Sequence, residues 1–461
     1  MNEEIKLAKP NDLIVAVVAD SQDFVEKTLS KLDYWLTAAV KNIHISNLHT
    51  LKEGLTEKPL ANLAVISVPG EYAAREAFKA LKEDLNVFIF SDNVSLEDEL
   101  ELKKLGKQKN LLVMGPDCGS AIINSVGLGF TNAVRRGSIG LIAAAGTGLQ
   151  EFTSQVHNIG CGISHAIGTG SHDLSELIGG ITTLAALDAL EADPQTRIIA
   201  VLSKPPALKT IENLIARFKD SKKPIIACFL GHQEKLDGEG VVFQHVSLID
   251  EAANLAIQLA ECGAVIKRPE VQDFSRLISR EKADFKPEQK YLRGIMAGGT
   301  FTYQTQQILR SSGIIVYSNA PLDKKYKLDN PDQSRENSIV DMGDDHYTQG
   351  KPHPMIDGAE RKRRILNECR DPQTAVLLLD FILGIGSSKD PVGDLLDAII
   401  EAKKVVNNRG GYLSVVANVC GPDGDPQDLN LQRKMLTEAG VVVFDSNAKA
   451  AHFCAELIKG R

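Results

Sequence analysis

Much is missing from this 461-residue chain, and each absence excludes something. No apolar run approaches the roughly 20 residues needed to cross a bilayer, so no membrane span is expected. There is no C-x-x-C pair. The seven cysteines stand singly, at Cys118, Cys161, Cys228, Cys262, Cys369, Cys420 and Cys454, which argues against a zinc site or a disulfide framework and for a reducing cytoplasm. Basic excess is missing too: 52 Lys and Arg face 60 Asp and Glu, a net charge of −8. Neither nucleic acid nor an anionic membrane is therefore expected as a partner. The opening "MNEEIKLAKPND" carries acids and no apolar core, so it does not read as a signal peptide.

What is there is a steady alternation of strands and helices. Short apolar runs such as "DLIVAVVA" (12–19), "ANLAVISV" (61–68), "LNVFIF" (85–90) and "NLLVMG" (110–115) are separated by amphipathic stretches. Continuous apolar strands between such helices predict an α/β fold of doubly wound parallel sheets, covered on both faces. Length predicts about three domains. We read a Rossmann-like domain at 1–134, a first flavodoxin-like domain at 135–267, a polar linker at 268–290 and a second flavodoxin-like domain at 291–461. The last includes "GIIVYS" (313–318) as a strand.

The second and third domains read as copies. "IAAAGTGLQEFTSQ" is echoed by "IMAGGTFTYQTQQ" at 295–307, and "DPQTRIIAVL" (193–202) by "DPQTAVLLLD" (371–380). The two echoes differ in offset by about 25 residues, and loop-like stretches in the later copy, at 320–337 and 346–354, supply the surplus.

Each copy runs a strand into a nearly bare turn at a helix start: Gly146-Thr147-Gly148 in one, Gly298-Gly299-Thr300 in the other. A helix start offers unpaired N–H groups and the positive end of the dipole, and glycine lets an anion approach the backbone. The plainer reading is a tight turn and nothing more; the duplicated placement favours phosphate or carboxylate binding. A third glycine turn, Gly168-Thr169-Gly170, follows the next strand. His172 and Asp173, just beyond it, suit either acid–base chemistry or helix capping. In "GDDHYTQGKPHPMID", Lys351 and His353 are candidates for contact with an anionic substrate, and Asp344, Asp345 and His346 match no standard metal spacing. Cys118 in "GPDCG" has no identifiable base beside it, and "CGPDGDPQD" (420–428) reads as a mobile loop.

The chain closely resembles the FdrA family, distant relatives of succinyl-CoA synthetase. The resemblance lies in "LAVISVPGEYAA", "LLVMGPDCGSAIIN", "GTGLQE", "GISHAIGTGSHDLS", "SKPPA" and "DMGDDHYTQGKPHPMID". It implies a Rossmann-like domain followed by two flavodoxin-like domains. In the synthetase those two are split between the α and β subunits, with two helix N-termini facing one phosphate. Their counterparts here are the turns at Gly146 and Gly299, on one chain.

The departures from that pattern matter for function. The loop matching the CoA-holding glycine loop reads "VVADSQDFVEK", with Asp20 and Asp23 and no glycine, so CoA is not the expected ligand. No Gly-His-Ala-Gly-Ala loop is present; His232 in "FLGHQEK" is its nearest substitute. Where the synthetase has a glutamate before two glycines, this chain has Lys204 in "SKPP". An ATP-grasp domain is missing. The resemblance also implies carbamoyl transfer in purine and allantoin breakdown, in which oxalurate and phosphate give oxamate and carbamoyl phosphate. Lys204 and His172 are the candidate catalytic residues, phosphate or carbamoyl phosphate the candidate ligand, and no metal is expected. Small anionic substrates and further protein subunits are the expected partners, with self-association open. An acyl-CoA synthetase that takes its ATP module from another chain, and a non-catalytic ligand-binding subunit, remain as alternatives.

Overall fold

The computed structural model describes residues 21–31, 48–232, 236, 243–261 and 274–461. The strand expected at 12–19 and Asp20 of the acidic loop lie outside them. Residues up to Ala61 form a unit of their own, in which Ser21 caps a helix at Gln22–Leu29 and Thr50 caps one at Leu51–Glu57.

Residues Asn62–Arg461 form the second unit. It opens with a three-stranded parallel sheet in the order β1 (Leu63–Ile66), β2 (Asn86–Ile89), β3 (Val113–Met114). A hairpin, β4 (Ser120–Ile123) and β5 (Val126–Gly129), then joins the edge of the next sheet in antiparallel fashion. The hairpin, which precedes residue 134, thus pairs with the sheet that follows.

That next sheet contains β6 (Arg136–Ala143), β7 (Ile163–Gly168), β8 (Ile198–Ser203), β9 (Ile225–Phe229) and β10 (Phe243–Val246). Its order is β10-β9-β8-β6-β7-β4-β5. The last sheet contains β11 (Tyr291–Met296), β12 (Ser338–Asp341), β13 (Thr374–Ile382), β14 (Ser414–Cys420) and β15 (Val442–Phe444), ordered β12-β11-β13-β14-β15. Strip the hairpin from the first and the two orders are the same, 2-1-3-4-5, the flavodoxin-like winding. All pairings within these two five-strand sets are parallel.

The strands are apolar throughout because both faces are covered. In β8, Ile198, Ala200 and Leu202 enter one core, while Ile199 and Val201 enter the other. In β13, Leu377, Leu379 and Phe381 face one core, and Val376 and Leu378 face the opposite one. The ladder registers also align the copies residue by residue. Ala143 pairs with Gly168 and Leu202, and Met296, equally far from its glycine turn, pairs with Asp341. Asp341 thus takes the place of Gly168. Because Ile295 pairs with Leu379, Asp380 takes the place of Leu202.

Four expectations change. The stretch read as a linker contains a helix, Ser275–Ala283, whose Glu281 is buried and accepts hydrogen bonds from the Tyr412 and Ser414 hydroxyls. "GIIVYS" forms only isolated bridges at Tyr317 and Ser318, so it is not a strand. The loop at 420–428 is docked: Asp425 accepts hydrogen bonds from the Asn132 side chain and the Ala133 backbone, and Asp423 pairs with His157. Among the described cysteines five are free and Cys161 is disulfide-bonded, which departs from the thiol-only expectation.

Candidate functional site

The two flavodoxin-like halves meet through their glycine-started helices, Gly146–Asn158 and Gly299–Ser311. Leu149, Phe152 and Val156, spaced on one helical face, seat the first on its sheet; Ile308 and Leu309 are buried in the second. Each helix begins just past the end of the first strand of its copy, at the switch point where open α/β sheets bind ligands. Neither start has a side-chain cap. Both are enclosed, with Thr147 at 9% exposure and Thr300 at 2%. An enclosed helix start without a capping side chain leaves its first N–H groups in need of an acceptor.

The two turns touch. A Cβ placed on Gly148 would lie 2.9 Å from Thr300 Cγ2, and one on Gly298 would lie 2.8 Å from Thr147 Oγ1. Each threonine thus packs into a glycine of the other turn, and any larger residue would push the helix starts apart. Lys204 follows β8 directly. A Cβ on Gly299 would lie 3.4 Å from Lys204 Nζ and 2.6 Å from Asp341 Oδ2. The ammonium group sits 4.9 Å from the centre of the Tyr303 ring and makes no ion pair among the described residues. Two positive helix ends and one free cation therefore converge on one small space.

Asp341, at the end of β12, was not singled out in the sequence. Burial pushes its carboxyl up to about 6, against the pull of Lys204 and of a hydrogen bond from Gly343 N–H. Asn319 fixes its backbone on both sides. His353 lies alongside: a Cβ on Gly343 would meet His353 Nε2 at 2.9 Å and Asp341 Oδ1 at 3.2 Å. Met355 N–H donates to His353 Nδ1. That leaves the proton of the neutral ring on Nε2, a donor beside Gly343. Burial, reinforced by Arg361, lowers His353 to about 4, so it stays neutral. Asp380 accepts from the N–H groups of Ala297 and Gly298 and is paired with Arg361 at 2.8 Å, which pins the second turn from behind. A lone acid in the apolar run "AVLLLDFILG" was the available signal, since a buried carboxylate requires a partner.

Asp117 stands on the turn after β3, within electrostatic reach of Lys204. Burial raises its pKa, while Ser171, Lys204 and His172 pull it back. His172 is half-exposed, with Nδ1 3.6 Å from Glu99, whose hydrogen bond raises its pKa. Asp173 is structural: it accepts from Thr182 N–H and Thr183 N–H at the start of the helix Ile181–Ala192 and pairs with buried Lys103. Of the two sequence readings, Asp173 follows the capping one.

The remaining candidates move away from the anion role. Gly168-Thr169-Gly170 opens no helix; the next begins at Ile181. Thr169 is fully buried, its N–H bonded to Ala143 and its carbonyl to Lys103. Gly168 and Gly170 instead admit the 115–120 segment at close quarters. Lys351 is exposed and paired with Glu360 at 2.8 Å. Asp344 caps the short helix Asp345–Thr348, and His346 contacts Asp332. The Cys118 thiol is buried and pushed up to about 12, so it is not a nucleophile at neutral pH. The His232 ring packs edge-on against His245. Among the described residues no cluster has the makings of a metal site, and no helix is long and apolar enough to cross a membrane.

Comparison with known proteins gives a consistent picture. Residues 134–229 match the model of a CoA binding domain, and residues 295–456 that of CoA-ligase. The first match falls on the sheet that carries Gly146, whereas the sequence reading had looked for CoA contacts in the N-terminal acidic loop. The chain is similar to the protein YahF of Escherichia coli strain K12, 42% identical over 461 residues, covering 99% of this chain and 89% of that one. It is similar to the α subunit of the ADP-forming succinate–CoA ligase of Methanothermobacter thermautotrophicus, 25% identical over 182 residues, 39% of this chain and 60% of that one. It is also similar to subunit SauD of the ADP-forming sulfoacetate-CoA ligase of Bilophila wadsworthia, 21% identical over 201 residues, 41% of this chain and 66% of that one. Among solved structures, ATP citrate lyase from Methanothrix soehngenii aligns with 89% of this chain and 83% of its own at 13% identity and a TM-score of 0.40.

Proposed function

We propose, for a chain that belongs to the family of YahF and carries CoA-binding and CoA-ligase domains of the succinyl-CoA-synthetase-like superfamily, that it is a group-transfer enzyme acting on an acyl or carbamoyl phosphate. The observation that carries this reading is the meeting of two uncapped helix starts at Gly146 and Gly299 beside Lys204. Such a cradle fits a phosphoryl group: backbone N–H groups from both halves take its oxygens, and Lys204 balances its charge.

The specific reaction is carbamoyl transfer of the FdrA type. Phosphate held in the cradle attacks the carbamoyl carbon of oxalurate, and carbamoyl phosphate and oxamate result. No side-chain nucleophile is required, because phosphate is the nucleophile and the cradle aligns it. The local chemistry supports this. His353 presents N–H rather than a lone pair, which suits it to hold an oxygen of the substrate. Cys118 is a buried thiol.

A second reading has its own support. The CoA-ligase and CoA-binding matches, and relatives that are themselves ligase subunits, favour an acyl-CoA synthetase whose ATP module sits on another chain. The same cradle would then hold the phosphoryl group of an acyl phosphate.

A thermal-shift series with phosphate, carbamoyl phosphate, oxamate and CoA separates the two. A ligand at 100 times its Kd adds about 2.7 kcal/mol of stability. Stabilisation by carbamoyl phosphate but not CoA, followed by phosphorolysis of oxalurate, supports the transferase. Stabilisation by CoA places the synthetase first. No stabilisation by any phosphate-bearing ligand removes both.

A further inference from the structure

We propose that Asp341 is the proton carrier of this site, a role that rests on the phosphate-cradle reading above. Its carboxyl stands at the start of the Gly299 helix, on the same small space as Lys204 Nζ. Backbone bonds from Asn319 and a hydrogen bond from Gly343 N–H hold it there. An ionised carboxylate in that position competes with an incoming anion for the same helix end and the same lysine. A protonated one does not compete, and it offers a hydrogen-bond donor instead.

The groups facing Asp341 set the balance. Lys204, from the turn after β8, favours its ionised form; Asp344 and Asp380, from the loop after β12 and from β13, disfavour it; His353 is neutral. Burial is the largest influence and favours the neutral acid. A carboxyl poised near neutrality is suited to both giving and taking a proton.

In the transfer itself, an oxygen of monohydrogen phosphate forms a bond to the carbamoyl carbon. The bond from that carbon to the amide nitrogen breaks, and its electron pair goes to the nitrogen. Asp341 gives its proton to that nitrogen, and its carboxylate takes up the proton the phosphate loses. One residue thus serves both ends of the exchange and is regenerated in each turnover. The substrate class follows: a carbamoyl group on an amide-type nitrogen, whose departure requires a proton, which a thiolate leaving group would not.

Binding tests the idea without turnover. Sulfate is the probe, because its charge is fixed between pH 5 and 8. If filling the cradle requires a proton on Asp341, sulfate affinity falls by about tenfold for each pH unit above the carboxyl's pKa of about 6. In Asp341→Asn the affinity should be flat across that range and at least equal to that of the unaltered protein at pH 8. Asp117→Asn should keep the slope. A pH-independent affinity in the unaltered protein overturns the proposal, and so does a slope that survives in Asp341→Asn or disappears in Asp117→Asn. Sulfate and phosphate both failing to bind at every pH would sink the cradle reading itself, a separate outcome. Where oxalurate phosphorolysis is measurable, Asp341→Asn should lower turnover at least a hundredfold while still binding sulfate.

Discussion

Glu151 accepts a hydrogen bond from the backbone N–H of Asn447 at 2.9 Å, at the start of the helix Asn447–Ile458. Gln304, its counterpart in the second copy, accepts one from Ile249 N–H at 2.9 Å, at the start of the helix Ile249–Ala260. Each glycine-started helix thereby caps a helix start in the other half. Glu151 is fully enclosed, and burial, helped by nearby Asp250, raises its pKa well above the ordinary value. A raised carboxyl stabilises the fold at low pH and loses that contribution as pH rises through its folded pKa. Replacing Glu151 by Gln, the solution the second copy already uses, should leave stability at pH 5 nearly unchanged. At pH 8 it should increase stability. Urea unfolding at the two pH values checks this, and a loss at pH 8 would mean the ionised form is the one the interface requires.

Gly298→Ala tests the contact between turns. The added methyl would meet Thr147 Cβ at 3.0 Å, close to the backbone and unable to swing aside. The expected cost is about 1–3 kcal/mol, with anion affinity falling more than tenfold as the helix starts separate. Retained phosphate binding would show that the turns need not touch.

Lys204→Met keeps the length of the side chain and its contact with Tyr303 while removing the charge. Phosphate affinity should fall by one to two orders of magnitude at low salt, with the melting temperature in the absence of ligand little changed, because the lysine makes no ion pair among the described residues. Isothermal titration decides. An unchanged Kd would exclude Lys204 from the site.

Asp341→Asn has a stability consequence of its own. The carboxyl rises from 3.8 to about 6 on folding, so the folded state holds the proton more tightly than the unfolded one. Stability from this group is full below pH 3.8 and lost as pH climbs past about 6. The amide does not titrate. The variant should therefore be more stable than the unaltered protein at pH 8, by up to about 3 kcal/mol, and no more stable at pH 4. Parallel pH-melting curves would refute this.

The parts of this architecture legible in the sequence were those written locally. Apolar strands and glycine turns marked both flavodoxin-like copies, and the turns at Gly146 and Gly299 are brought together by the structure. What escaped depends on distant partners. Nothing near Asp341 in the chain reveals that Lys204 stands beside the same helix end. The helix Ser275–Ala283 hid behind its charges, because the Tyr412 and Ser414 hydroxyls that bury Glu281 arrive from far along the chain. Gly168-Thr169-Gly170 looked like the other turns, but its glycines answer to close packing against residues 115–120 rather than to a ligand. Arg361 was one base among several in "AERKRRILNE"; only its reach to Asp380 sets it apart.

The register that places Asp341 where the first copy has Gly168, and Lys204 where the second has Ile382, has a further consequence. Two identical copies would surround a ligand with the same groups on both sides, and a molecule could enter either way round. Here one copy supplies a cation at this level and the other an acid. The space beside the two helix starts therefore has a head and a tail. A substrate whose two ends differ, one to be held and one to leave, has a single orientation in which it fits.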